Sequence, residues 1–96
     1  MKIHLSLRFM DIDHLFILVG LLRGKTCPEI AGFLRISQSA ISQRVSGLND
    51  FFAFTVTTRK GRRLSLTKKG EQVAKAAEQS LILLHESLDR ARLIDE

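Results

Sequence analysis

The stretch from Thr26 to Leu48 constrains the fold more than any other part of this chain. Thr26-Cys27-Pro28-Glu29 combines an N-cap threonine, a first-turn proline and a glutamate three positions after the cap, the reciprocal capping-box pattern of a helix start. The helix it opens is short, with Ile30, Ala31 and Leu34 facing inward. It is expected to stop near Arg35-Ile36, where Ser37 can cap a further helix. A link of about three residues forces two helices to cross steeply, and a residue as small as Ala31 allows the close approach that crossing needs. The spacing predicts a helix-turn-helix.

In the helix after Ser37, residues Ile41, Val45 and Leu48 fall on one face by i, i+4, i+7 spacing, leaving Gln38, Ser39, Ser42, Gln43 and Ser46 on the opposite side. Short, neutral, polar side chains neither clash with base edges nor repel phosphates, and glutamine can pair bidentately with adenine. Polar serines are also ordinary solvent-facing residues, so this face needs support from elsewhere in the chain.

The support comes downstream. From Phe54 to Thr67 the pattern alternates about Lys60-Gly61-Arg62, predicting strands at about 54–59 and 63–66 joined by a glycine-containing turn. Arg59, Lys60, Arg62, Arg63, Lys68 and Lys69 fall within eleven residues, and no aspartate or glutamate lies between Phe51 and Gly70. Basic hairpin tips beside a helix-turn-helix meet phosphate or the minor groove. Six cations without an anion favour that use over a merely solvated turn with edge-blocking charges.

Upstream, Asp11 can cap a helix running to about Arg23, with Leu15, Leu18, Val19 and Leu22 recurring at spacings of three and four, and Gly24 ends it. Residues 1–10 alternate apolar Ile3, Leu5, Leu7 and Phe9 with polar Lys2, His4, Ser6 and Arg8, which reads as an N-terminal extension, either a strand or an unstructured leader. At the other end, Thr67 can cap a last helix reaching about Ile94. Its apolar stripe is Val73, Ala77, Leu81, Leu84, Leu88 and Ala91. Roughly 25 residues of helix span ~38 Å, longer than so small a domain covers, so the stripe is expected to serve dimerisation. Pairing there would set two recognition helices on successive major-groove faces.

Ninety-six residues, 45% of them apolar, make one domain with a real core, and six phenylalanines without tryptophan or tyrosine leave little surface for stacking single-stranded bases. The net charge of +5 is uneven. Residues 1–70 carry twelve Lys/Arg and four Asp/Glu, whereas residues 71–96 carry three and six. The two parts are expected to face different partners. Cys27 is the only cysteine, so no intrachain disulfide forms, and His4, His14 and His85 are too dispersed for a tetrahedral zinc site. No metal or other cofactor is expected. The longest apolar run, Leu15 to Leu22, has eight residues where a membrane span needs about twenty. A cytoplasmic protein without signal peptide or membrane anchor is expected. Ser37, Ser39 and Ser42 have no histidine near in sequence, and His14 has no nucleophile at a useful spacing. The chain is not expected to be an enzyme, and no small-molecule site is evident.

The run Ile36-Ser37-Gln38-Ser39-Ala40-Ile41-Ser42-Gln43, followed by Val45 and Leu48, resembles the recognition helix of LysR-type transcriptional regulators. Leu64-Ser65-Leu66-Thr67-Lys68-Lys69-Gly70 resembles that family's exit from the wing into its linker helix. The resemblance spans about residues 10–92 in the family's order. It implies a DNA-binding domain dimerised through a long linker helix, with Gln38, Ser39, Ser42 and Gln43 at base edges and Arg59 in the wing. Arg44, Lys60, Arg62 and Arg63 join Arg59 as expected phosphate contacts. The chain departs from the family pattern at Gln43, where arginine is frequent, at Cys27 for phenylalanine, at Asn49 for glutamate, and at Val56-Thr57 for Leu-Phe. Such regulators usually continue into an effector-sensing domain, and this chain is expected to act without one.

The expected fold is thus mainly α: a winged helix-turn-helix of three helices and a β-hairpin over residues 11–66, an extension over 1–10, and a linker helix over 67–94. The order of helices and wing is shared with other winged-helix families, such as the molybdate-responsive regulators. The expected function is a homodimeric, sequence-specific regulator on double-stranded DNA. The alternative is an interaction adaptor or decoy that pairs through its C-terminal helix with a larger regulator.

Overall fold

A computed structural model describes residues 5–95. Its elements, in chain order, are a 3-10 turn at Leu5–Phe9, α1 (Ile12–Leu22), α2 (Cys27–Leu34), α3 (Gln38–Phe52), β1 (Thr57–Lys60), β2 (Arg63–Leu66) and α4 (Lys68–Arg92). The architecture is the mainly helical winged helix-turn-helix with a long last helix that the sequence predicts.

Each helix starts where a short polar side chain can take up its free amides. Asp11 caps α1, accepting the His14 amide at 3.1 Å while the Asp11 amide donates to His14 Nδ1 at 3.0 Å, so a histidine completes this capping box. Thr26 caps α2, and Glu29 returns the bond by accepting the Thr26 amide at 3.0 Å. The Thr26 backbone and hydroxyl bonds hold the Glu29 carboxyl below its ordinary range. Ser37 caps α3 through the Ala40 amide at 3.0 Å. Thr67 caps α4, accepting from Gly70 at 3.0 Å and donating its hydroxyl to the Thr55 carbonyl at 2.6 Å.

Two apolar clusters meet on α1. Ile17 and Leu21 pack with Ile30, Ala31, Ile41 and Val45 of the helix-turn-helix. Leu18 packs with Leu48, Val56, Ala74 and Ala77, which joins α3, the foot of the wing and α4. Removing a fully buried leucine such as Leu48 typically costs about 2–5 kcal/mol. The inner face of α1 is therefore His14, Ile17, Leu18 and Leu21, with Leu15, Val19 and Leu22 only half-buried. The expected stripe of Leu15, Leu18, Val19 and Leu22 is shifted because a helix apolar nearly all round serves two clusters on different sides.

Two further expectations are corrected. The possible strand over 1–10 is a 3-10 turn at Leu5–Phe9, the rest of that segment before Leu5 lying outside the described residues. The Met10 amide bonds the Leu7 carbonyl at 3.0 Å, a local bond in place of a ladder bond. Phe9 turns onto α3, stacking on Phe51 at 4.7 Å between ring centroids and lying against Gly47. The first strand begins at Thr57 rather than near Phe54. Ala53 ends α3 in the left-handed region at φ 57°, and the Phe54 ring stacks on Phe52 with Lys69 5.4 Å above it, so the chain packs before it pairs, and Val56 meets the far end of the hairpin only through its carbonyl, which accepts the Thr67 amide.

β1 and β2 are antiparallel, with Thr57 opposite Leu66 and Lys60 opposite Arg63. The two-residue turn between them puts Gly61 first, at φ 64°, a conformation glycine adopts without a Cβ penalty.

Candidate nucleic-acid interface

Two elements build one face, and a third carries an arm away from it. The first is α3, whose buried Ile41, Val45 and Leu48 fix its rotation so that Gln38, Ser39, Ser42, Gln43 and Ser46 are all exposed. The sequence assigns the first four of them to base readout, and all five form a neutral polar surface starting at the helix N-terminus. That end of a helix carries partial positive charge and free amides, which suits an approach to phosphate.

The second element is the hairpin. Arg59, Lys60, Gly61, Arg62 and Arg63 are exposed, and Arg59 Nη1 donates to the Arg62 carbonyl at 3.2 Å, bracing the turn. Arg59 shares a strand face with Thr57 and Leu64, and these line a groove of about 360 Å³ together with Ser42, Val45, Ser46, Asn49 and Thr58. The wing therefore stands beside the polar face of α3, with an open channel between them.

The structure does not bring every expected cation to this face. Arg63 donates to the Gly24 carbonyl, tying the second strand to the turn between α1 and α2. Arg44 is turned inward: its guanidinium lies 3.3 Å from Asp11 and 3.5 Å from Asp13, and its Nε is buried without a partner among the described residues. The register explains this. Position 44 lies three residues after Ile41 and four before Leu48, on the flank of the core face, so its nearest charges are the acidic start of α1. Partial burial opposes ionisation of Asp11, but the His14 amide and ring and the Arg44 guanidinium together hold its carboxyl below the ordinary aspartate range.

The third element is α4. Ala77 is buried and Val73 packs on the same cluster, so the first half of the expected dimerisation stripe is taken up within the chain itself. Leu81 is half-buried, whereas Leu84, Leu88 and Ala91 are exposed, with Ile82 and Leu83 beside them. The molecule measures 53 × 31 × 21 Å, and 25 residues of α4 run about 38 Å, so the distal half projects beyond the core. Beside its midpoint an apolar groove of about 510 Å³ opens among Phe16, Val19, Ile30, Phe33, Leu81 and Ile82.

Sequence reasoning passed over one feature of this face. Asn49 and Thr57, noted only as departures from a family pattern, bond to each other across the channel at 3.4 Å. Nothing in their local spacing signals the contact, because α3 and β1 meet only in the folded chain.

Among the described residues no helix is long and apolar enough to cross a membrane.

Three helices, a basic hairpin set beside an exposed polar helix, and a long capped arm define the winged helix-turn-helix class of proteins. The family model described as "Bacterial regulatory helix-turn-helix protein, lysR family" matches residues 12–71, and the chain belongs to that family. Nodulation protein D 1 of Mesorhizobium japonicum is 32% identical over 79 residues, covering 82% of this chain and 25% of that protein. Among solved structures, a probable transcriptional regulator of Pseudomonas aeruginosa is similar with a TM-score of 0.74 and 29% identity over 94% of this chain and 30% of its own. The BenM DNA-binding domain, solved with its benA site 1 DNA, shares the fold with a TM-score of 0.79 at 20% identity, over 90% of this chain and all of its own. This chain spans about a quarter of the length of the nodulation protein and under a third of the Pseudomonas regulator.

Proposed function

We propose that this chain binds double-stranded DNA sequence-specifically, as a dimer, and regulates transcription by that binding rather than by catalysis. The observation that carries the reading is the neutral polar face of α3 standing beside a wing tip of exposed cations with no acidic residue between Phe51 and Gly70. In this reading residues 11–66 form the reading module. Gln38, Ser39, Ser42 and Gln43 meet base edges in the major groove, while Arg59, Lys60 and Arg62 hold phosphates and set the register. Residues 67–94 form the arm, and the exposed Leu84, Leu88 and Ala91, with Leu81 at their inner end, join it to a second copy. A symmetric pair would place two α3 helices on half-sites about one helical turn apart. Solved relatives bound to DNA support this use of the fold.

Selection of binding sites by the purified chain from a random duplex pool at near-physiological salt tests the proposal. Phosphate-driven affinity falls steeply with salt while base readout survives. Enrichment of an inverted repeat is the expected result. Binding without enrichment would refute sequence readout by α3, and no binding would leave pairing with a larger regulator as the use of the arm.

A further inference from the structure

We propose that Asn49 is a positioning residue that locks the wing to the recognition helix, so that Arg59 reaches the DNA backbone in the same pose in which Ser42 reaches a base. This rests on the DNA-binding reading above and adds to it the device that sets the spacing between the two contacts.

Asn49 lies one residue after the last fully buried leucine of α3 and is itself half-buried. Its Oδ1 accepts the Val56 amide at 2.8 Å and its Nδ2 donates to Thr57 Oγ1 at 3.4 Å. Val56 has no exposed surface and Thr57 only 5%, so both bonds sit at the buried root of the hairpin. Val56 precedes the first ladder residue and its amide has no strand partner; the asparagine supplies the acceptor that a buried amide requires. No other side-chain bond among the described residues joins α3 to the hairpin.

The two walls of the channel that this contact bridges are Ser42 and Ser46 on α3, and Thr58 and Arg59 on the wing. A duplex backbone touches both walls at once without an ordering cost only if their separation is fixed in advance. A wing free to swing would have to be ordered on binding, and that entropy would be subtracted from whatever Arg59 contributes. An asparagine serves here because one side chain offers an acceptor to the amide and a donor to the hydroxyl.

A double-mutant cycle reads the coupling directly, using the full chain and a duplex taken from the site selection. Arg59→Ala is expected to weaken wild-type binding about tenfold but Asn49→Ala binding less than twofold, while discrimination between bases under α3 stays the same. Asn49→Asp keeps the Val56 acceptor and can take the Thr57 hydroxyl as donor, so it should restore the full effect of Arg59→Ala. Thr57→Val removes one bond only and is the second variant should Asn49→Ala fail to fold; it should reduce the Arg59 effect part of the way. An Arg59→Ala cost equal in all backgrounds overturns the proposal and leaves Asn49 a stability residue. Amide hydrogen exchange gives a reading that needs no DNA. Faster exchange across 57–66 with α1 protection unchanged supports the clamp, and hairpin protection unchanged in Asn49→Ala overturns it. Failure of the wild-type chain to bind any duplex would instead refute the proposed function, with the clamp still decided by exchange.

Discussion

Gly70 and the Val56 carbonyl touch with no room for a side chain between them: a Cβ on Gly70 would fall 2.8 Å from the Val56 carbonyl carbon and closer still to its oxygen. The obstruction is backbone and cannot rotate away. The same carbonyl accepts the Thr67 amide at 3.0 Å, so the first turn of α4 and the foot of the wing are held as one piece. Gly70→Ala is therefore expected to destabilise the domain by about 3 kcal/mol, at the upper end of overpacking, seen as a lower denaturant midpoint. Gly32→Ala is the contrast. Nothing lies within 4 Å of its Cβ position on the exposed side of α2, and relief of the glycine penalty should raise stability by about 0.5–1 kcal/mol.

Ala53 presents the reverse case. It is exposed and ends α3 at φ 57°, ψ 23°, the left-handed conformation that costs an L-residue about 1–2 kcal/mol. Part of that cost is offset by the larger entropy glycine loses on folding. Ala53→Gly should thus gain about 0.5–1 kcal/mol, measured as a rise in melting temperature, and a fall would show that the Ala53 methyl makes a contact worth more than the strain.

Legibility followed locality. The caps at Asp11, Thr26, Ser37 and Thr67 were readable because each depends on residues three or four positions apart, and the rotation of α3 followed from Ile41, Val45 and Leu48. What the sequence hid depends on which element packs on which. Helix α1 is apolar on most sides, so its period does not reveal that Ile17 and Leu21 serve one cluster and Leu18 another. Arg44 reads as a phosphate ligand until Asp11 and Asp13 are found beside it. The α4 stripe is continuous in sequence, yet Val73 and Ala77 are covered within the chain itself and Leu84 and Leu88 are not.

The Asp11 carboxylate gives a pH signature. Its folded pKa lies below the ordinary value, so its contribution is present above the unfolded pKa of about 3.9 and is lost as pH falls from there through the folded value. Asn is an equally good cap and does not titrate there. The melting-temperature difference between wild type and Asp11→Asn should favour wild type near neutral pH and shrink steadily below about pH 4. Glu29 titrates in both proteins and cancels. A difference that stays constant down to pH 2.5 would show that the Arg44 and His14 contacts do not act on this carboxylate.

The two sets of cations should separate in salt dependence. Lys60→Ala and Arg62→Ala, if these residues meet phosphates, should each weaken binding for all duplexes and reduce the slope of log affinity against log salt by about 1. Arg44→Ala should leave that slope unchanged and instead lower stability by less than about 1 kcal/mol, because its acidic partners are half-exposed and screened. A loss of slope in Arg44→Ala would mean that the guanidinium leaves Asp11 and Asp13 when DNA arrives.

The projecting half of α4 makes the proposed dimer testable apart from the fold. Leu84 and Leu88 are 50% and 47% exposed, so replacing both with serine removes apolar surface that the subunit itself does not use. Sedimentation equilibrium at micromolar concentration should show a folded monomer whose melting temperature, unlike that of the wild type, does not rise with protein concentration. Val73→Ala, on the half already packed against the core, should lower the melting temperature and leave the association intact. The double variant should bind a single half-site as wild type does but lose its advantage on a two-half-site duplex. That advantage comes from tethering: once one reading module is seated, the second searches only the small volume its arm allows. A double variant that remains dimeric would move the interface off the distal arm, and the apolar groove beside Phe16 and Phe33 would be the next face to substitute.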